Sequence, residues 1–330
     1  MTGALDYPLR FAPIFKERIW GGRRIETVLG KPLPTGRPIG ESWEISDHGD
    51  DVSRVTSGAL AGATLRELVQ GHATELLGSS VTSNCAGGFP LLVKWIDARD
   101  RLSLQVHPPG GHPRLPPGER GKTECWFIVD ADPDAVIFLG LRRGVDRAAL
   151  ERELVRHTAE SCLNVYPVRS GDFFFVPAGA VHAIGGGVLL AEVQQSSDTT
   201  FRLYDWNRVD AATGRPRPLQ IQEALDSIDF RASSSLPCPA HDAPSGNERI
   251  LLDERRCPYF HVAWRRISSR HEREPTGRCH IWICLGGSGW LHHDAGQAPI
   301  RRGDCLVLPA AARVLCEPAD TLEILDVRIP

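Results

Sequence analysis

The chain has 330 residues, 42% hydrophobic and 24% charged, enough apolar material for one large core or two medium ones and too much for global disorder. Its 38 basic and 41 acidic residues are interspersed to a formal net charge of -3, so no basic block stands ready for a nucleic-acid backbone. The opening MTGALDYPLRFAPIF lacks a basic leader running into an apolar stretch, and no later run approaches the roughly 20 apolar residues of a membrane span. The expectation is a cytoplasmic protein without membrane or nucleic-acid partners.

In chain order, KERIWGGRR and GESWEIS set Trp20, Glu41 and Trp43 beside glycine turns, as packing elements or pocket walls. TLRELVQGHATELLG from Thr64 has helical character. Short runs rich in Val, Ile, Leu, Phe and Trp, bounded by Gly, Pro, Asp or Asn, then follow as strands: PLLVKWIDA from Pro90, TECWFIVDA from Thr123, AVIFLGL from Ala135, DFFFVP from Asp172 and GVLLAEVQQ from Gly187. Two more helices are predicted, DRAALERELVRHT behind an Asp146 N-cap and LQIQEALDSI from Leu219. Three helices are too few to cover both faces of a parallel sheet, so the fold class is mainly β.

Between Asp229 and Glu248 the composition turns to Ser, Pro and Ala, as in an exposed connection. Beyond it, HIWICLGGSGWLHHD carries two strand-like runs around Gly286-Gly287-Ser288-Gly289. RSGDFFFVPAGAVHAI from Arg169 aligns without gaps on RRGDCLVLPAAARVLC from Arg301, matching Gly171 to Gly303, Asp172 to Asp304 and Pro177 to Pro309, with Val314 in place of His182. Two related β-barrels are expected, only the first with a polar centre. The nine cysteines are scattered, odd in number and without a CxxC pair, which suits reduced thiols, several of them buried in strands. His292 and His293 are adjacent, face opposite ways on a strand and make no chelating pair.

Gly171 to His182 spells G(x)5PxGxxH, which resembles the second motif of cupin barrels, where the histidine points inward to a metal. Partners for it lie upstream. In LSLQVHPP, Gln105 and His107 are two apart and project from one face of a strand, and Glu124 in GKTECWFIV shares a face with Lys122. A carboxylate at the start of an apolar strand is solvated at the barrel rim or compensated by a cation. Two imidazoles, a carboxylate and an amide, with no thiolate, suit one Zn²⁺ while leaving room for Mn²⁺, Co²⁺ or Fe²⁺.

Taken together, IWGGR, GESWEIS, PLLVKWIDA, LSLQVHPP, GKTEC, VPAGAVHAIG and QQSSDTTFRLYDWNR, in this order, resemble the type I phosphomannose isomerases in their shorter bacterial form. The resemblance implies two jelly-roll barrels of the cupin type: a catalytic, metal-binding domain with small helical elements over 1-230, a linker at 231-247 and a degenerate second cupin domain over 248-330. It implies interconversion of mannose 6-phosphate and fructose 6-phosphate, with one zinc on Gln105, His107, Glu124 and His182. Arg202, Lys122, Glu192 and Glu41 are the expected catalytic residues, and Trp20, Lys94, Ser103 and Arg208 the expected substrate contacts, Lys94 and Ser103 near the phosphate. Ala180, where Thr is common, and Arg208, where larger members tend to have Lys, depart from the pattern. Three rivals stay open: an iron-dependent cupin dioxygenase, a non-enzymatic sugar-binding cupin, and an isomerase of free mannose or another sugar phosphate.

Overall fold

The computed structural model describes residues 5-79, 88-210, 214-231 and 246-330; Cys85, Cys238 and most of the 231-247 connection lie outside them. The bounded apolar runs form the strands Leu91–Ala98, Glu124–Ala131, Val136–Leu141, Phe173–Val176 and Val188–Gln195, and every paired strand is antiparallel to its neighbour. Helix Leu65–Leu77 starts with a capping box in which Thr64 accepts from the Glu67 amide and Glu67 accepts from the Thr64 amide. Asp146 caps Arg147–Val155, and the third helix runs Ile221–Ser227, two residues later than its sequence signal begins.

Two six-stranded sheets stack face to face at the centre. One runs in the order Phe173–Val176, Glu124–Ala131, Val188–Gln195, Leu91–Ala98, Ile14–Gly22, Ile39–Ile45; the other Leu9–Arg10, Cys305–Leu308, His280–Gly286, Leu322–Arg328, His261–Ile267, Glu248–Leu252. Alternation along each strand sends Val93, Trp95, Phe127 and Val193 from the first sheet and Ile281, Ile283, Leu325 and Val327 from the second into this shared core. The opposite face of the first sheet, with Ile96, Trp126, Ile128 and Leu190, packs on a five-stranded sheet that holds Leu104–Val106, Val136–Leu141 and His182–Ile184. The helices Arg147–Val155 and Ile221–Ser227 cover that sheet's outer side. The opposite face of the second sheet, with Trp282 and Ile324, packs on a four-stranded sheet around Leu291, Val314 and Cys316. The fold is therefore mainly β, two cupin-type jelly rolls set back to back with a few short helices.

The two strands flanking Gly286-Gly287 do not pair with each other: the chain crosses there from a six-stranded to the four-stranded sheet. Gly287 has φ 76°, and a Cβ on it would lie 2.0 Å from the Thr321 carbonyl oxygen, so the crossing requires glycine. Cys125, Cys284, Cys305 and Cys316 are buried in strands as thiols.

The aligned repeat is a structural one. In each copy an aspartate accepts the amide of the arginine three residues before it, Arg169 to Asp172 at 3.0 Å and Arg301 to Asp304 at 2.9 Å, around glycines at φ 95° and 88°. Phe173–Val176 pairs with Glu124–Ala131 as Cys305–Leu308 pairs with His280–Gly286, which sets Glu124 against His280 and Trp126 against Trp282. Val314, at the place of His182, is buried in the apolar core of the second roll.

Candidate metal centre and its cavity

Three strand ends at the mouth of the first jelly roll bring the expected ligands together. Gln105, in Leu104–Val106, lies in register between His182 and Arg202; His107 follows where that strand ends against Pro108; Glu124 opens its strand across the roll. His107, Glu124 and His182 form a buried cluster whose ligand atoms all lie within 4.8 Å of one another. Glu124 Oε2 is 3.5 Å from His107 Nε2, and Glu124 Oε1 is 3.6 Å from His182 Nε2. Gln105 Nε2 lies 3.3 Å from His182 Nε2.

The tautomers follow from the outer hydrogen bonds. His182 Nδ1 donates to the Ala180 carbonyl at 2.9 Å and His107 Nδ1 to the Thr199 carbonyl at 3.0 Å, so both Nε2 lone pairs face the cluster. Burial lowers the His182 pKa to about 4; burial, reinforced by Lys122 and His182, carries that of His107 well below 6.5. Both rings are neutral at physiological pH, the form a metal requires. Among the described residues Glu124 Oε1 is a buried acceptor without a hydrogen-bond partner. Donor atoms held at about 2.1 Å from a tetrahedral ion stand roughly 3.4 Å apart, and these ligand atoms lie within 4.8 Å of one another. The residues fit a divalent cation.

Gln105 and Lys122 connect the cluster to a cavity of about 490 Å³. Lys122 Nζ donates to Glu124 Oε2 at 2.5 Å and to His107 Nε2 at 3.0 Å. Trp20, Glu41, Lys94, Ser103, Glu192 and Arg202 all line the cavity. Lys94 is buried, 3.7 Å from Glu41 and 3.4 Å from Glu192, with its ammonium 4.8 Å from the Trp43 ring centre. Despite the burial that opposes its charge, Glu192 and Glu41 raise its pKa. Burial would raise Glu41 too, but Lys94 and Arg18 hold it down to about 2, and it accepts from Arg18 Nε and Trp43 Nε1, both at 2.7 Å. Glu192 goes the other way: burial and the nearby Glu124 raise it, against Lys122 and Lys94. Arg202 Nε donates to Ser103 Oγ at 3.2 Å.

Arg208 sits apart, in the neighbouring cleft, donating to Asp205 Oδ1 and to the Arg101 carbonyl, each at 2.5 Å. Asp205 also accepts from Arg217 Nε at 2.7 Å, and Arg217 lines the cavity, so Asp205 links Arg208 to the site. Arg18, Asp198, Arg217 and Gln220 are lining residues that sequence reasoning missed. A signal existed for Asp198 alone, inside the polar run QQSSDTTF that follows the Glu192 strand.

The description "Phosphomannose isomerase type I, catalytic domain" matches residues 9-117. The chain is 37% identical over 302 residues to the mannose-6-phosphate isomerase of Streptococcus mutans, covering 92% of each, and 36% identical over 303 residues to mannose-6-phosphate isomerase ManA of Bacillus subtilis, covering 92% of this chain and 93% of that one. Its fold superposes on a crystal structure of the Bacillus subtilis mannose 6-phosphate isomerase with a TM-score of 0.82 at 30% identity, covering 96% of this chain and 99% of that one. A variant of phosphomannose isomerase from Salmonella typhimurium shares the fold at TM-score 0.71 and 18% identity, covering 96% and 98%. With likeness running over nearly its whole length, the chain belongs to the type I phosphomannose isomerases and is an enzyme of that family.

Proposed function

We propose that the enzyme interconverts mannose 6-phosphate and fructose 6-phosphate through a cis-enediolate, with one zinc ion held by Gln105, His107, Glu124 and His182. The observation that carries this reading is the meeting of two neutral imidazoles and a carboxylate next to Gln105 and Lys122, which line a cavity rich in cationic side chains. Arg18, Lys94, Lys122, Arg202 and Arg217 outnumber Glu41, Glu192 and Asp198 there, which suits a dianionic sugar phosphate in a chain that is acidic overall. When bound, the metal supplies positive charge beside the two substrate oxygens that exchange their bonding to hydrogen.

The protein's own groups divide the remaining work. Two carboxylates with pKa values pushed apart mark fixed charge and proton carrier: Glu41, held low, stays ionised and anchors Lys94, while Glu192, raised, is the better group to take the proton from one carbon and return it to the next. Lys122 and Arg202 stabilise charge on the oxygens and pass protons between them. Lys94 and Ser103 hold the phosphate, Ser103 being oriented by Arg202, and Trp20 forms the cavity wall. Arg208 supports the cavity from behind. The chemistry is assigned to residues 1-230, with 248-330 as scaffold, 231-247 as connection and the cytoplasm as location. QxH in place of HxH and the cationic cavity favour this reading over an iron dioxygenase.

Fructose 6-phosphate formed from mannose 6-phosphate, lost on chelation and restored by zinc, is the expected outcome of the assay. Turnover that ignores the chelator would overturn the metal reading. Turnover of free mannose at the same efficiency would overturn the phosphate reading.

A further inference from the structure

We infer that Trp126 is a positioning residue, its indole N–H fixing the carboxylate of Glu192 and its ring edge fixing the imidazole of His182. The inference rests on the proposed roles of Glu192 and His182. Trp126 is fully buried, stands opposite Glu192 in the strand register, and donates from Nε1 to Glu192 Oε2 at 2.9 Å. Its ring meets that of His182 nearly edge-on, at 72° with centroids 5.4 Å apart. One rigid side chain with two rotatable bonds thus sets both the candidate proton carrier and a candidate metal ligand. Among the described residues the other Glu192 oxygen, Oε1, has no hydrogen-bond partner and is 3.4 Å from Lys94 Nζ, so the indole supplies the carboxylate's hydrogen-bonded anchor.

A packing explanation alone would have the indole fill space and its N–H take whatever acceptor is near. The second jelly roll separates the two roles. Trp282 occupies the equivalent position, is equally buried, and faces Asp326 in the same register as Trp126 faces Glu192. There the carboxylate is one methylene shorter and is taken by His280 at 2.7 Å and Arg265 at 3.0 Å, and among the described residues Trp282 Nε1 has no partner. The fold therefore uses the indole ring in both rolls and tolerates its N–H unpaired. Only the roll that keeps His182 couples that N–H to a carboxylate.

Trp126→Phe keeps an aromatic ring and deletes the donor. In the metal-loaded enzyme kcat should fall roughly tenfold to a hundredfold with KM, metal content and thermal midpoint little changed, because outer hydrogen bonds act through orientation. Trp282→Phe, which removes an unpartnered N–H, should leave kcat unchanged. An undiminished kcat in Trp126→Phe, or an equal loss in Trp282→Phe, would overturn the inference while leaving the isomerase reading intact. A second measurement does not depend on turnover: the Trp126 indole ¹⁵N–¹H resonance, assigned by its loss in Trp126→Phe, should shift upfield in Glu192→Gln. A resonance indifferent to that change would overturn the inference even in an enzyme inactive toward mannose 6-phosphate, a result that by itself would sink only the functional reading.

Discussion

Glu41 and Glu192 flank the same ammonium, Lys94 Nζ, at 3.7 and 3.4 Å, yet their carboxyl pKa values are displaced in opposite directions. The difference lies in what else each one touches. Glu41 also accepts from the Arg18 guanidinium and the Trp43 indole, whereas Glu192 accepts from the Trp126 indole and feels the like charge of Glu124, against Lys122. Neighbouring strands of one sheet thereby place a permanent anion and an adjustable one on either side of a buried cation.

Glu41 should couple stability to acid. Its folded pKa, about 2, lies below the ordinary 4.5, so its contribution is fully present above about pH 4.5 and is lost as pH falls toward 2. Glu41→Gln, which leaves Lys94 short of one of its two carboxylates, should cost roughly 3 kcal/mol at neutral pH. Denaturant titrations of the two proteins should converge as the pH approaches 2; a constant gap would argue against the assigned ion pair.

His182 gives the reverse chemistry and the same sign. Its folded pKa of about 4 is below the ordinary 6.5, so the unfolded chain takes up a proton before the folded one does. Stability of the chelated protein should be full above pH 6.5 and decline as pH drops to about 4, and His182→Phe should flatten that slope. His182→Ala should also abolish metal retention and turnover. Full metal occupancy in that variant, measured by elemental analysis, would contradict the ligand set.

Arg217 and Asp205 form a test of substrate charge. Arg217→Ala should raise KM for the phosphorylated sugar by roughly tenfold to a hundredfold, the worth of a charged hydrogen bond, with kcat less affected. Asp205→Asn should move KM the same way and less far, since it loosens Arg217 without removing its charge. Steady-state kinetics decide this, and a fall in kcat at constant KM would place Arg217 elsewhere in the reaction.

Leu325 lies in the core shared by the two six-stranded sheets and is 1% exposed. Leu325→Ala should destabilise the protein by about 2–5 kcal/mol, and because that core belongs to both rolls, loss of activity and of tryptophan fluorescence should follow one transition. A first-roll activity that survives while second-roll tryptophans unfold would contradict a shared core.

Much of this was legible from local chemistry. Apolar runs cut by Gly, Pro and Asp marked the strands, Thr64 and Asp146 marked helix starts, and the Gly-Asp turn exposed the repeat, because its backbone demands glycine at positive φ and an aspartate to accept the amide before it. The two-residue spacing of Gln105 and His107 likewise pointed to one strand face. Long-range pairing was not legible: Leu9–Arg10 adds a two-residue strand to the second roll by pairing with Cys305–Leu308, too short a segment to carry a period. Arg18 and Arg217 carry no local signal of a site; only the fold brings them to the cavity. Arg208 was expected at the substrate on the family resemblance; in the fold the strand stops at Tyr204, and Trp206 and Asn207, at φ 56° and 55°, turn the chain away.

The most direct test of the metal isomerase assignment is elemental analysis of the purified protein joined to the mannose 6-phosphate assay, before and after chelation. The expected result is one equivalent of zinc per chain, fructose 6-phosphate formation that disappears with the metal and returns with it, and neither in His182→Ala. Undiminished turnover in metal-free protein, or a fully zinc-loaded protein that forms no fructose 6-phosphate, would contradict it.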